Sequence, residues 1–372
     1  MKRVNVLYVI WSLDTGGAEQ VVAALAKGLD SQRFRTIVCC LNWEGELADS
    51  VKNHGIPIIA LNKRKGFDPM IIGKLRRLMR QYEIDVVHTH LWTSNFWGRI
   101  AAATARVPAV VATEHNVDLW KSPYHFFCDR QLARVTSRVV YVSDAVKSFY
   151  VGKTGIDAPK GLRIHNGIET SGFRTGGDSS KLRADMGIAQ DAKVITTIGR
   201  LVPQKGHRLF VDTMKRVHAR CPEAIGLIVG DGELHQDLEG YIREQDLEKV
   251  VSLTGLRSDI PQILKLSDVF VLSSFHEGFP ITILEAMATG RCCVVTDVGG
   301  NREAVETGVT GFVVPAGDVG ALADPISRLL SDDSLRLEMG GAAQERVDRL
   351  FSLESMVEQT EHLYAEILSG SR

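Results

Sequence analysis

The apolar run at the N-terminus, Val4 to Trp11, is too short to cross a bilayer, and Ser12, Asp14 and the Gly16–Gly17 pair break it. No small-residue cleavage site follows it, so it reads as a first β-strand rather than a signal peptide, and a cytoplasmic protein is expected. No Cys-x-x-Cys spacing occurs among the six cysteines. Cys39–Cys40 and Cys292–Cys293 are adjacent pairs inside apolar runs, and Cys128 and Cys221 stand alone. Free buried thiols fit this pattern better than a disulfide framework or a zinc site. No internal repeat and no low-complexity tract appears, which excludes solenoids and fibrous arrays.

Net charge is nearly absent too, at −1, yet it is unevenly divided. Residues 1–185 carry 26 Lys and Arg against 17 Asp and Glu, whereas the remainder carries 18 against 28. A uniformly basic chain would point to nucleic acid, which is not expected here; a basic half joined to an acidic half points to one face that meets phosphates or an anionic membrane. At 372 residues, 44% hydrophobic and 24% charged, the chain has ordinary globular composition and enough length for two cores.

Strand-like apolar runs alternate with amphipathic helical stretches. Val4–Ile10, Thr36–Leu41, Ile56–Leu61, Ile84–His88, Ala109–Thr113, Arg138–Val142 and Leu162–His165 read as strands of a first domain, residues 1–169. Ala18–Leu29, Met70–Tyr82, Asn95–Ala105 and Tyr124–Thr136 read as helices between them. Periodicity pauses over residues 170–180, the expected linker. A second domain, 181–352, has expected strands Lys193–Ile198, Ala224–Val229, Val250–Leu253, Asp268–Leu272, Cys292–Thr296 and Phe312–Val314. A final helix follows within 353–372. Near-continuous Val/Ile strands, each followed by a helix, predict an α/β protein of two Rossmann-like, doubly wound parallel-sheet domains facing across a cleft. Ligand-binding residues should then lie just beyond strand ends.

Chemistry-bearing residues do cluster there. Gly16 and Gly17 sit at the first strand-to-helix turn, where backbone amides and the positive end of a helix can meet phosphate. The pattern is neither the dinucleotide fingerprint GxGxxG nor a Walker A loop. Arg200 and Lys205 follow the strand ending at Ile198, one a bidentate phosphate ligand by nature and the other a point charge. Gly230-Asp231-Gly232-Glu233 reads as a tight turn with a carboxylate capping the next helix. In Ser273 to Gly290, Glu277 lies in the loop ahead of a helix that begins beyond Pro280, and Glu285 lies inside that apolar helix. An acid so placed needs a partner or a purpose. His88, His90 and His115 follow strands of the first domain; His115 is the one best placed to line a cleft, and His90 reads as structural. A third-ligand set for zinc is not evident, so no metal is expected.

Taken together, Gly16-Gly17-Ala18-Glu19, Arg200 with Lys205, Gly230-Asp231-Gly232-Glu233 and the Glu-x7-Glu pair Glu277 and Glu285 make the chain resemble the GT-B-fold retaining glycosyltransferases of family four, the group one transferases, over nearly its whole length. The resemblance implies transfer of a sugar from a nucleoside-diphosphate donor, with UDP favoured, to a hydroxyl of a glycan, lipid-linked or small-molecule acceptor in cell-envelope or exopolysaccharide synthesis. It implies that Arg200 and Lys205 neutralise the diphosphate, helped by amides around Gly278, Phe279, Pro280 and Ile281. Glu285 would hold the ribose and Glu277 the donor sugar. His115 would lie near the reacting centre, and Gly16 and Gly17 would admit diphosphate and acceptor. Asn166 and Gly167 would mark the domain junction, and the last helix would return to the first domain. No Asp-x-Asp occurs in the chain, which agrees with a metal-independent, cofactor-free site.

The segment Lys63 to Arg80 is strongly basic, and Trp92, Phe96, Trp97 and the run Trp120 to Phe127 add aromatics to the same domain. It reads either as a dock for an anionic membrane surface, giving peripheral attachment at the inner face, or as a helix whose Leu75, Leu78 and Met79 face the core beneath solvated cations. Three alternatives to transfer stay open: a nucleotide-sugar epimerase of similar build, a nicotinamide oxidoreductase and a non-catalytic sugar-nucleotide-binding protein.

Overall fold

A computed structural model describes residues 3–156, 158–175 and 179–370. The chain divides into two compact units, one of residues 1–167 with 353–372 and the other of residues 168–352. In the first, strands β1 (Val4–Ile10), β2 (Phe34–Cys40), β3 (Ile58–Ala60), β4 (Val86–His90), β5 (Ala109–Glu114), β6 (Arg138–Tyr141) and β7 (Gly161–Arg163) form one parallel sheet in the order β3-β2-β1-β4-β5-β6-β7. In the second, β8 (Lys193–Ile198), β9 (Ala224–Val229), β10 (Val251–Leu253), β11 (Val269–Leu272), β12 (Cys292–Thr296) and β13 (Gly311–Val314) form another in the order β10-β9-β8-β11-β12-β13. Both sheets are doubly wound, as the apolar runs require, and each expected strand is present within a few residues of its expected bounds.

The central strands are apolar along their whole length because helices cover both faces. Val6, Leu7, Tyr8, Val9 and Ile10 of β1 and Val269, Phe270 and Val271 of β11 have no accessible surface. Each such aliphatic side chain contributes roughly 1.5–3 kcal/mol of burial free energy. In each sheet the strand order reverses once, between β1 and β4 and between β8 and β11, and crevices at such reversals take ligands at the strands' carboxyl ends.

Two boundaries differ from the reading of the sequence. The division between units falls at Gly167 and Ile168, and the expected linker holds the short helix Ser171–Thr175 and the first two residues of another, Ser179–Asp185, both in the second unit. The second of these buries no residue, so it carries no apolar stripe to betray it. Gly176, Gly177 and Asp178 of that linker, together with residues 1–2 and 371–372 at the termini, lie outside the described residues.

The last helix, Leu353–Gly370, joins the first unit as expected. Its buried Tyr364 donates a hydrogen bond to Tyr8 of β1 at 3.1 Å, and Glu361 accepts from the Asp30 amide at 2.8 Å. Gly28 of the first helix leaves room for it, since a Cβ there would stand 2.6 Å from Val357.

Candidate active site

In the second unit the loops after β8 and β11, the pair flanking the strand-order reversal, are sewn together. Gln204 accepts from the Phe275 amide at 2.8 Å through its carbonyl and donates through its side chain to the His276 carbonyl at 2.8 Å. Ser273 Oγ donates to the Gly206 carbonyl at 2.9 Å. Gly206 adopts φ +63°, and a Cβ there would lie 2.2 Å from the Ser273 carbonyl oxygen, so only glycine permits this approach. Across this seam Lys205 donates to Glu277 at 2.6 Å, and Ser274 Oγ donates to the same carboxylate oxygen at 2.6 Å. Glu277 is buried, 5% exposed. Its ionised form is therefore held by one cation and one hydroxyl, the compensation that a buried charge requires.

Arg200, in the first of these loops, is exposed and its guanidinium meets no described partner. Gly199 lets the aliphatic stem of Lys205 pass at 3.5 Å from the place of its absent Cβ. Gly230 and Gly232 bring the loop after β9 against the same turn: Leu201 donates its amide to the Asp231 carbonyl at 3.0 Å and accepts from Leu234 at 3.0 Å. Asp231 does not cap the following helix, contrary to expectation. That helix starts at His235 without a side-chain cap, and the Asp231 carboxylate accepts from Gly232 at 2.8 Å and lies 3.0 Å from His235 Nδ1.

The helix Ile281–Ala288 starts behind Pro280 and also has no side-chain cap, leaving its first amides to other partners. Gly278, Phe279, Pro280 and Ile281 are buried around this start. The Gly278 carbonyl accepts from Gly300 at 2.8 Å, and Gly299, at φ +53°, lies so close that a Cβ would stand 2.0 Å from the Glu277 carbonyl oxygen. Glu285, one turn inside, is half-buried and has no partner among the described residues. Burial pushes its carboxyl up to about 7. On the same face Thr282 Oγ1 is sealed without a hydrogen-bond partner. A half-buried carboxylate that no described residue meets is suited to hydroxyls supplied by a ligand.

The first unit presents a different chemistry. Gly16 ends the loop after β1 in extended conformation and precedes the helix Gly17–Gly28, which has no side-chain cap. The loop is braced by a neighbouring one: Leu47 donates to the Leu13 carbonyl at 2.8 Å, and Trp43 Nε1 to Asp14 at 2.9 Å. His88 and His90 lie within β4, not beyond a strand as the sequence suggested, because the strand runs on to His90; His115 follows β5. His88 Nδ1 is 2.6 Å from the Tyr364 hydroxyl and its Nε2 is 2.6 Å from Thr113 Oγ1. His90 Nδ1 and His115 Nε2 form a hydrogen bond of 2.9 Å. Burial lowers His88 and His115 to about 3 each and depresses His90 as well, so all three are neutral. His90, read as satisfied from the sequence, has a buried Nε2 without a partner. Leu91, between β4 and the helix Trp92–Ala105, is held at φ +67°, ψ 154°, a strained setting for a branched residue.

Beneath the loop that follows His115 lies a cluster of charges that the sequence did not disclose. Lys121, with no accessible side-chain surface, stands 3.1 Å from Asp129, 3.4 Å from Glu114 and 3.6 Å from Asp118. Arg99 adds a 2.6 Å pair with Asp129, and Asn95 donates to Glu114 at 3.0 Å. Burial works against the Lys121 ammonium, but its carboxylates outweigh that and raise its pKa. Burial pushes the Glu114 carboxyl up, with Lys121 opposing. A lone lysine in a run of polar and aromatic residues offers no sequence signal of this kind.

Among the described residues no group of three or more His, Cys, Asp or Glu side chains is arranged to hold a metal ion. No described helix is long and apolar enough to cross a membrane.

Two family descriptions match the chain consecutively, Glycosyltransferase Family 4 over residues 15–171 and Glycosyl transferases group 1 over residues 178–346. The chain is 31% identical over 332 residues to the UDP-Gal:alpha-D-GlcNAc-diphosphoundecaprenol alpha-1,3-galactosyltransferase of Escherichia coli, covering 87% of this chain and 86% of that one. It is 27% identical to the alpha-D-kanosaminyltransferase of Streptomyces kanamyceticus, over 82% of each chain. The crystal structure of Anabaena HepE in complex with UDP-glucose superposes with a TM-score of 0.88 at 27% identity, covering 99% of this chain and 100% of that one. The protein belongs to the group 1, family 4 glycosyltransferases and has their GT-B fold.

Proposed function

We propose that this glycosyltransferase takes its sugar from a nucleoside-diphosphate donor, UDP being the favoured nucleotide, and passes it to a hydroxyl of a glycan or lipid-linked acceptor with retention of anomeric configuration. The observation that carries this reading is the seam between the loops after β8 and β11. Lys205 is fixed on buried Glu277, the Arg200 guanidinium is unpaired, and the start of the helix Ile281–Ala288 is uncapped. Such a seam offers fixed positive charge where the departing diphosphate gains negative charge. Glu285 takes the ribose hydroxyls and Glu277 the donor sugar; Gly16 and Gly17 admit the diphosphate and acceptor, and His115 acts beside the sugar as a neutral group. The bond from anomeric carbon to phosphate oxygen breaks, the bond to the acceptor oxygen forms on the same face, and the acceptor proton leaves on the departing phosphate. No metal or other cofactor takes part. The E. coli relative is named for a UDP-galactose donor and a diphosphoundecaprenol-linked acceptor, and HepE was crystallised with UDP-glucose, which supports the choice of UDP and of cell-envelope or exopolysaccharide synthesis.

The test is incubation with UDP-glucose, UDP-galactose or UDP-N-acetylglucosamine and a glycosyl-diphospholipid acceptor, with and without EDTA. Acceptor-dependent, EDTA-resistant formation of an α-linked product is expected. Conversion of a donor to its epimer without acceptor would establish the epimerase alternative, and binding without turnover the non-catalytic one.

One observation favours membrane attachment. Phe67, Trp97, Phe96, Trp92, His125 and Trp120 make a continuous series of ring contacts 4.6–5.4 Å apart, and Phe67, Trp120, Tyr124 and Phe127 are more than half exposed. Beside it, the helix Met70–Gln81 buries Leu75, Leu78 and Met79 in the core, as the second reading of this segment expected, so only the exposed Lys74, Arg76, Arg77 and Arg80 are left to meet a surface. Aromatics flanked by cations suit an anionic lipid interface at the inner face of the cell membrane. Sedimentation with vesicles containing phosphatidylglycerol should exceed that with phosphatidylcholine alone and fall with salt; indifference to both removes the reading.

A further inference from the structure

The histidine pair formed by His90, the last residue of β4, and His115, the first after β5, admits two proton arrangements that differ in what His115 can do. In one, His90 Nδ1–H donates to His115 Nε2, and His115 carries its own proton on Nδ1. In the other, His115 Nε2–H donates to His90 Nδ1, and His90 must carry a proton on Nε2.

His90 is fully buried and its Nε2 has no partner among the described residues. Rings hem it in: His88 at 4.3 Å, His115 at 5.2 Å and Tyr8 at 5.7 Å between centroids. The second arrangement would seal an N–H donor there, whereas the first leaves only a bare lone pair. Orphaned buried donors are rarer than under-satisfied acceptors, which selects the first. Burial that keeps both rings neutral excludes a shared extra proton.

We propose that His90 is a positioning residue that donates Nδ1–H to His115 Nε2, fixing His115 as the Nδ1–H tautomer with that N–H free for a ligand oxygen. His115 Nδ1 meets no described residue. With Nε2 engaged and Nδ1 protonated, His115 is a neutral hydrogen-bond donor and not a general base. The catalytic consequence rests on the donor-sugar role given to His115 above, while the tautomer itself does not.

Two measurements keep these apart. Imidazole nitrogen NMR of the unmodified protein, labelled at histidine and assigned against His115→Gln, should show His115 protonated on Nδ1 and bare on Nε2. The opposite tautomer overturns the proposal without any need for a folded variant of His90. His90→Leu should release His115 toward the Nε2–H form that unconstrained imidazole favours, and His90→Asn, whose amide N–H occupies the place of Nδ1–H, should retain the Nδ1–H form. A tautomer indifferent to His90→Leu overturns the positioning. In transfer assays His90→Leu should lower kcat about ten- to a hundredfold with donor KM changed less than about threefold, and His90→Asn should recover most of it. A tautomer that shifts while turnover does not would uphold the pairing and discard the donor-sugar role of His115.

Discussion

The loops after β8 and β11 keep their charges, whereas the histidines of β4 and of the position just after β5 shed theirs. In the second unit buried Glu277 pairs with Lys205 while Arg200 is exposed and meets no described partner, so cations stand where an anion can use them. In the first unit three histidines are stripped of charge by burial and handed from partner to partner, Tyr364 to His88 and His90 to His115. A diphosphate calls for the first kind of surface. A sugar, whose hydroxyls are neutral, is better met by the second, since an uncoupled cation beside it would compete for the departing phosphate.

The largest effect that could break this contrast concerns the ionic cluster under the His115 loop. Lys121→Met leaves Glu114, Asp118 and Asp129 without their common cation and should destabilise the first unit by about 3–5 kcal/mol in denaturant titration. A loss under about 1 kcal/mol would show that the cluster is solvated rather than sealed. Next, Lys205→Ala removes both the phosphate-facing cation and the partner of Glu277. If Lys205 faces the donor phosphate as proposed, transfer should fall about a hundred- to a thousandfold, a size typical of a lost transition-state donor, and retained activity would separate the Lys205–Glu277 pair from chemistry.

Smaller, and sharper in sign, is the pH response of Glu285. Its folded pKa stands at about 7, above the ordinary carboxyl value of 4.5, so the fold holds the extra proton between those pH values. Stability should therefore fall as pH rises through that window, and Glu285→Gln should abolish the fall in thermal melts. Donor binding should run the other way, strengthening as the carboxylate ionises, and titration of UDP at several pH values would detect that slope and its loss in the variant.

Much of this was legible because it is local. Val/Ile-rich runs such as Val4–Ile10 and Lys193–Ile198 can only be buried parallel strands, and Glu285 announces itself as an acid in an apolar helix. What was not legible is long-range. Ser274 and Gly299 matter because the fold carries them to Glu277, and Lys121 because three carboxylates converge on it. The helix Ser171–Thr175 within the expected linker escaped notice because tertiary bonds hold it, Lys265 donating to the Arg174 carbonyl at 2.7 Å and Arg174 pairing with Asp348. Asp231 misled for a related reason: its spacing suits a cap, yet its carboxylate turns to Gly232 and His235.

The central claim is that the charged loops of the second unit hold the donor's diphosphate. Arg200 tests it most directly, because its side chain is exposed and bonds to no described residue, so removing it disturbs no bond among them. Calorimetric titration of UDP into wild type and Arg200→Ala should show an affinity about ten- to a hundredfold weaker in the variant, the size of a lost hydrogen-bonded charge pair. Equal affinities, with both proteins folded, would contradict the account and send the diphosphate elsewhere.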